Sequence, residues 1–233
     1  MPNRHGGIDV EGGKVRDQRQ RKAMTGFDPQ CDELLGQSCL SYQAQFALPA
    51  EVRRALARFS RQLRQIAVSG LWVAPAGSLH VTCCSLVSPR DLSYDKARYW
   101  RSVRLAAAEA VKRVQQEVPA FQLRFRTTRV TERAIVVLAD DEPLVTRARA
   151  VFSQVAPPPG ARPSQVSGTI HVTLCRYADP IGIRRDLPEA VAPLRLDLRA
   201  DIGTLTLVRE TAYPSLHRET LMSASLVRIG AAG

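Results

Sequence analysis

Two tripeptides in this 233-residue chain carry side chains that could do chemistry: His80-Val81-Thr82 and His171-Val172-Thr173. Each sits in an apolar run, 79–83 and 170–174, and together they hold two of the chain's four histidines. In an extended strand, residues i and i+2 point to the same face. Each motif then presents an imidazole beside a hydroxyl. Two such pairs, brought face to face, make a pocket with two groups that titrate near neutrality and two hydroxyl donors. One imidazole can take a proton while the other gives one, and the hydroxyls can donate to the oxygens of a phosphate. A core has no use for the same polar pair twice, because burying four polar side chains without partners is costly. His80 and His171 should therefore face each other across a cleft that admits a phosphate.

A pocket of this kind needs a duplicated scaffold, and the sequence shows signs of one. Phe46 lies 34 residues before His80, and Val137 lies 34 residues before His171. The match points to an internal repeat. In the first copy Tyr42, Ala44, Phe46 and Leu48 alternate with their neighbours, which predicts a strand. Pro49 suits the first turn of a helix in which Val52, Leu56, Phe59, Leu63 and Ile66 recur at helical spacing. Gly70 ends that helix, and a turn over 75–78 leads into the first motif. In the second copy 134–138 predicts a strand. Asp140, Asp141, Glu142 and Pro143 open a helix to about 155, with the acids where the helix dipole favours them. A Pro157-Pro158-Pro159-Gly160 loop then leads into the second motif. The first motif is followed by a predicted helix over 94–117 and a strand over 121–126. The second is followed by a shorter helix over 183–192 and a strand over 194–198. Strands over 204–208 and 221–229 close the chain.

The pattern predicts an α+β fold, duplicated and bilobal, with two antiparallel sheets facing a central cleft and helices packed outside. Residues 39–233 should form this single domain, with pseudo-repeats at about 41–130 and 131–233. Residues 1–38 are rich in Gly, Gln and Arg without periodicity and read as a disordered basic tail.

Composition narrows the function classes. With 45% hydrophobic and 24% charged residues the chain can bury a real core. No apolar run approaches the roughly 18 residues of a membrane span, which excludes a helical membrane anchor. The first residues lack the apolar stretch of a signal peptide, so a cytoplasmic protein is expected. Cys31, Cys39, Cys83, Cys84 and Cys175 make an odd set with one adjacent pair, better suited to reduced thiols than to a disulfide framework. A net charge of +11 favours polyanions such as RNA. His80, Cys84, His171 and Cys175 have the composition of a zinc set. Residues i and i+4 of a strand, however, lie about 13 Å apart, while zinc ligands crowd within about 2.3 Å of one ion. No metal or other cofactor is expected, and nothing singles out one thiol as a nucleophile.

The paired motifs, 91 residues apart, resemble those of the two-histidine (2H) phosphoesterase superfamily. That group includes 2′-5′ RNA ligase-like proteins and cyclic phosphodiesterases, with two His-x-Thr-x motifs in a duplicated fold. The resemblance spans about 40–230. His171-Val172-Thr173-Leu174-Cys175-Arg176 is similar to the family's His-x-Thr-Leu-x-Arg. Leu205-Thr206-Leu207-Val208-Arg209, with Tyr213 beyond, is similar to its closing strand and aromatic. Cys83-Cys84 departs from the usual aliphatic positions.

The resemblance implies hydrolysis of 2′,3′-cyclic phosphate ends of RNA or nucleotides to 2′-phosphomonoesters, with 2′-5′ ligation as the reverse. His80 and His171 would be acid and base, with Thr82 and Thr173 as donors. The alternative is a non-catalytic nucleotide- or RNA-binding module on the same fold. Arg176 would add a charged clamp. Position i+5 points away from His171 in a regular strand, so Arg176 reaches the site only where the strand ends or bulges. Tyr42, Phe46, Trp72 and Tyr213 are candidates to stack on a base. His5 and His217 read as surface residues, and neither a membrane nor an obligate protein partner is expected.

Overall fold

The computed structural model describes residues 26–67, 69–157, 159–160 and 168–227. β1 (Ser38–Ala47) leads into α1 (Ala50–Ala67), the short β2 (Leu71–Val73) and β3 (His80–Val87). Then come α2 (Lys96–Glu117), β4 (Phe121–Val130), β5 (Ala134–Ala139), α3 (Pro143–Phe152) and β6 (His171–Tyr177). α4 (Leu187–Val191), β7 (Leu198–Ile202), β8 (Thr204–Ala212) and β9 (His217–Ser225) follow. The longer helices begin where the sequence caps them. Asp95 accepts from the Arg98 amide at the start of α2, and Glu142 accepts from the Leu144 amide ahead of α3. One stripe of α1, including Val52, Leu56, Phe59 and Leu63, is buried, as its spacing predicts.

The strands divide into a four-stranded sheet, β3-β1-β8-β9, and a five-stranded sheet, β2-β6-β5-β4-β7. All pairings are antiparallel. Apart from β2 the two orders match position for position, with β3 and β6, the motif strands, in equivalent places. The α+β arrangement of two sheets with helices outside is as expected. The two pseudo-repeats are not the two lobes, however. β4, from the first repeat, pairs with β5, and β8, from the second, pairs with β1. Helices exchange in the same way, because α1 packs on β2, β6 and β7 while α3 packs on β3. Neither sheet can bury its outer face without elements from both repeats.

Three elements shift from the sequence reading, and β4 and β8 each run four residues past their expected ends at 126 and 208. The helix over 183–192 shortens to Leu187–Val191, and the strand over 194–198 is found at Leu198–Ile202. Both stretches alternate apolar and polar residues, but only the second pairs with β4 and buries Ala200 and Ile202 completely. The last strand, expected over 221–229, is His217–Ser225, where two register irregularities against β8 disturb its alternation.

The expected disordered tail also needs correction. From residue 26 it is an ordered strap. The Asp32 amide donates to the Tyr177 carbonyl at the end of β6, and Phe27 packs edge-on to the Tyr177 ring. The Gly36 amide donates to the Tyr213 carbonyl, and the Tyr213 amide to Gln37, in the turn after β8. The strap therefore ties the ends of both sheets together. Its contacts are distant in sequence, so local periodicity could not show them. Residues 1–25, and His5 with them, lie outside the described residues.

Candidate active site

His80 and His171 are the first residues of β3 and β6. Each strand carries a bulge just after its threonine. Opposite β1, Thr82 pairs with Gln45 and Cys84 with Ala44, leaving Cys83 as the extra residue. Opposite β5, Thr173 pairs with Val136 and Cys175 with Ile135, leaving Leu174 as the extra residue. An extra residue shifts the alternation by one. His and Thr at i and i+2 therefore share the cleft face with the residue at i+5, Ser85 in β3 and Arg176 in β6. This is the bulge that Arg176 requires. His80, Thr82, Ser85, His171, Thr173 and Arg176 all line one cleft of about 240 Å³.

Each imidazole is held from behind. The His80 Nδ1 is 2.7 Å from the Ser78 carbonyl oxygen. A carbonyl only accepts, so Nδ1 carries the proton and neutral His80 keeps its lone pair on Nε2. His171 makes the equivalent backbone hydrogen bond two residues upstream, with Thr169. Arg149 of α3, nearly buried, reinforces both strands. It donates to the carbonyls of Cys83 (3.2 Å), Thr82 (3.3 Å) and Thr169 (3.1 Å). Arg218 of β9 supports the first motif by donating to the Gly77 carbonyl at 2.7 Å and to the Gln45 amide oxygen at 2.9 Å.

Burial and surrounding cations set the charge states. Burial, with Arg218, His171 and Arg176 nearby, lowers the His80 pKa to about 4. Burial and then Arg149 lower that of His171. Both imidazoles are therefore neutral at neutral pH, and an anion held beside them would favour protonation of one.

A second cluster closes one end of the cleft. Asp32, from the strap, has a fully buried side chain. It pairs with Arg90, in the loop after β3, and with Arg176 at 2.6 Å, and it accepts from the Tyr213 hydroxyl at 3.1 Å. Burial opposes its charge, but Arg90 and Arg176 outweigh this and hold the carboxyl below its ordinary range. The Arg176 guanidinium also lies over the Tyr213 ring, 4.9 Å from its centroid. On the opposite wall Glu210 of β8 accepts from Ser41 at 3.0 Å, from Gln43 at 2.8 Å and from the Ser215 amide. It thereby fixes the turn that carries Tyr213.

The structure sorts the aromatic candidates. Trp72, on β2 opposite Arg176, and Tyr213 line the cleft. Tyr42 and Phe46 do not. Tyr42 is buried and stacks on Trp100 at 3.9 Å, and Phe46 is fully buried against Phe121. The alternation that makes β1 a strand explains this correction. Gln43 and Gln45 pair with cleft-facing Ser85 and Thr82, so Tyr42 and Phe46 take the core face. His217 is exposed. Cys84 and Cys175 do not line the cleft. Burial pushes their thiols up to about 11 and about 12, the protonated and unreactive state. Among the described residues no three His, Cys, Asp or Glu side chains cluster in a way that could hold a metal ion. None of the described helices is long and apolar enough to cross a membrane.

Sequence reasoning missed Asp32, Ser85, Arg90, Arg149, Glu210 and Arg218. Only Arg149 left a readable signal: it lies four residues after Val145 on the apolar stripe of α3, where a solvated arginine would not sit.

No family model matches the chain, and no curated protein does. Solved structures do. TT0787 of Thermus thermophilus matches with a TM-score of 0.62 at 21% identity, over 81% of this chain and 99% of that one. A structure described as a phosphoesterase matches with a TM-score of 0.57 at 17% identity, over 82% and 99%. E. coli LigT in its apo form matches with 0.56 at 18% identity, over the same shares. The chain has the LigT fold. Other E. coli LigT structures of this fold are complexes with phosphate, ATP and 3′-AMP. The two antiparallel sheets described above are thus consistent with a LigT-like bilobal fold.

Proposed function

We propose that the chain is a cyclic phosphodiesterase that opens 2′,3′-cyclic phosphates at RNA ends or on nucleotides. The observation that carries this reading is the paired arrangement of His80 and His171. They share one cleft, each is braced by a backbone hydrogen bond two residues upstream, and each has a threonine beside it. The neutral imidazole takes a proton from water as the water oxygen attacks phosphorus. The bond from phosphorus to the 3′ oxygen breaks, and the protonated imidazole gives that oxygen its proton. The product is a 2′-phosphomonoester. Attack by a 5′-hydroxyl in place of water would break the same bond to the 3′ oxygen and give a 2′-5′ linkage. Thr82, Thr173 and Arg176 serve the non-bridging oxygens, and Trp72 and Tyr213 offer faces to a base. The LigT complexes with phosphate and 3′-AMP support a nucleotide ligand.

The test is incubation of the protein with 2′,3′-cyclic mononucleotides and with short RNAs ending in a cyclic phosphate, in buffer containing EDTA. Formation of 2′-phosphomonoesters is expected. Binding without turnover of any of these would favour the nucleotide-binding module instead.

A further inference from the structure

Asp32 is an odd companion for an anion site. Among the described residues, Arg90 and Arg176 are the two guanidinium groups at the Tyr213 end of the cleft, and both line it. A site built only to hold phosphate tightly would leave them both to the ligand. Instead the strap brings in a carboxylate with no solvent exposure and places it against both. The carboxylate takes one guanidinium nitrogen from each arginine, Nη2 of Arg90 and Nη1 of Arg176. The Tyr213 hydroxyl donates to it as well. The arginines remain accessible, with side chains 40% and 16% exposed, so Asp32 lies behind them and not in the ligand's place. The other charged group on the cleft lining, Glu210, has its own donors in Ser41, Gln43 and Ser215.

We propose that Asp32 is a specificity-determining residue, which lowers the positive charge of the arginine pair so that the site holds a singly charged phosphodiester and releases a doubly charged phosphomonoester. The inference rests on the cyclic phosphodiesterase reading for its biological sense. Ring opening converts a monoanion into a group that carries two charges above about pH 6. Two unopposed guanidiniums would grip that product harder than the substrate, because Coulomb attraction grows with ligand charge. One carboxylate behind them removes part of the excess. Asp32 touches no substrate atom and acts through Arg90 and Arg176.

The experiment is calorimetric titration at about pH 8 with two probes, adenosine 2′-monophosphate as the dianion and dimethyl phosphate as the monoanion. Asp32→Asn should bind the dianion about tenfold tighter and the monoanion about threefold tighter, as Coulomb's law requires of one added positive charge. A purely structural role moves affinity the other way, because loosened arginines bind both probes more weakly. Weaker or unchanged dianion binding in Asp32→Asn overturns the proposal. Should that variant fail to fold, Asp32→Asn combined with Arg90→Gln removes the ion pair while keeping the net charge. Its preference between the two probes should stay within about threefold of the unaltered protein, and a larger departure overturns the proposal. Neither titration needs turnover. Failure of the cyclic-phosphate assay would sink the enzymatic reading and leave this test standing.

Discussion

The two walls of the cleft share a backbone and differ in what they hang on it. Both motif strands begin with histidine, turn threonine to the same face and then bulge by one residue. Both imidazoles are braced two residues upstream, and each brace has an arginine nearby. Arg218 grips the first wall through Gly77, and Arg149 grips the second through the Thr169 carbonyl. Beyond the bulge the symmetry ends. The first wall presents the neutral hydroxyl of Ser85, the second the guanidinium of Arg176. The geometry repeats from one wall to the other, and the charge does not. An acid–base pair needs this, because two imidazoles in identical surroundings would hold the same proton equally well.

The strongest way to break the comparison is to remove one histidine at a time. His80→Ala and His171→Ala should each lower kcat/KM for a cyclic phosphate by about 100-fold or more, with little change in melting temperature because both rings face an open cleft. Wild-type turnover in either variant would end the paired mechanism. A large fall in melting temperature in both would return the histidines to a structural role.

The divided charge is probed next. Arg176→Ala should cost about thirtyfold, the loss of one charge-assisted contact to phosphate. Ser85→Ala, at the matching position, should stay within about twofold. Equal losses would mean that the two walls work alike.

Thr82→Ala and Thr173→Ala should each cost about tenfold, less than either histidine, because proton transfer survives loss of one donor. Steady-state hydrolysis by the two variants decides this. A loss as large as that of a histidine variant would give the threonine a role beyond donation.

The smallest effect is a displacement of the pH profile. The proposed mechanism requires one ring neutral and one protonated. Above the higher pKa both rings are neutral, and below the lower both are charged. His80 lies at about 4, and His171 is below the ordinary 6.5, so kcat/KM should be bell-shaped and peak on the acid side of 6.5. The profile of kcat should lie at higher pH, because the bound anion favours protonated imidazole. A kcat/KM maximum above about pH 7 would show that burial does not set these pKa values.

How much of this is legible in the chain depends on the range of the interactions. The motifs, their spacing, the stripe of α1 and the approximate extents of α2 and α3 are local patterns, and the sequence places them close to where they lie. β2 escapes because it is three residues long and exists only through its pairing with β6. The bulges at Cys83 and Leu174 leave no local mark, and without them Arg176 can only be placed conditionally. Tyr42 and Phe46 have rings that could stack on a base, although their own alternation assigns them to the core. Asp32 is hidden in a stretch without periodicity, since its partners lie 58, 144 and 181 residues away.

The sequence by itself determined that two imidazole–hydroxyl pairs would be presented by two equivalent strands, because side-chain alternation and repeat spacing are properties of the chain alone. Tertiary structure decided the rest. Exchange of β4 and β8 between sheets, the one-residue bulges and the closing strap are fixed by pairing energies between distant segments. Those pairings brought Arg176, Arg90 and Asp32 to one end of the cleft and left the histidines partly buried on its walls. The surroundings of a titratable group, more than its type, set its charge, so the acid–base properties of His80 and His171 could be settled only in three dimensions.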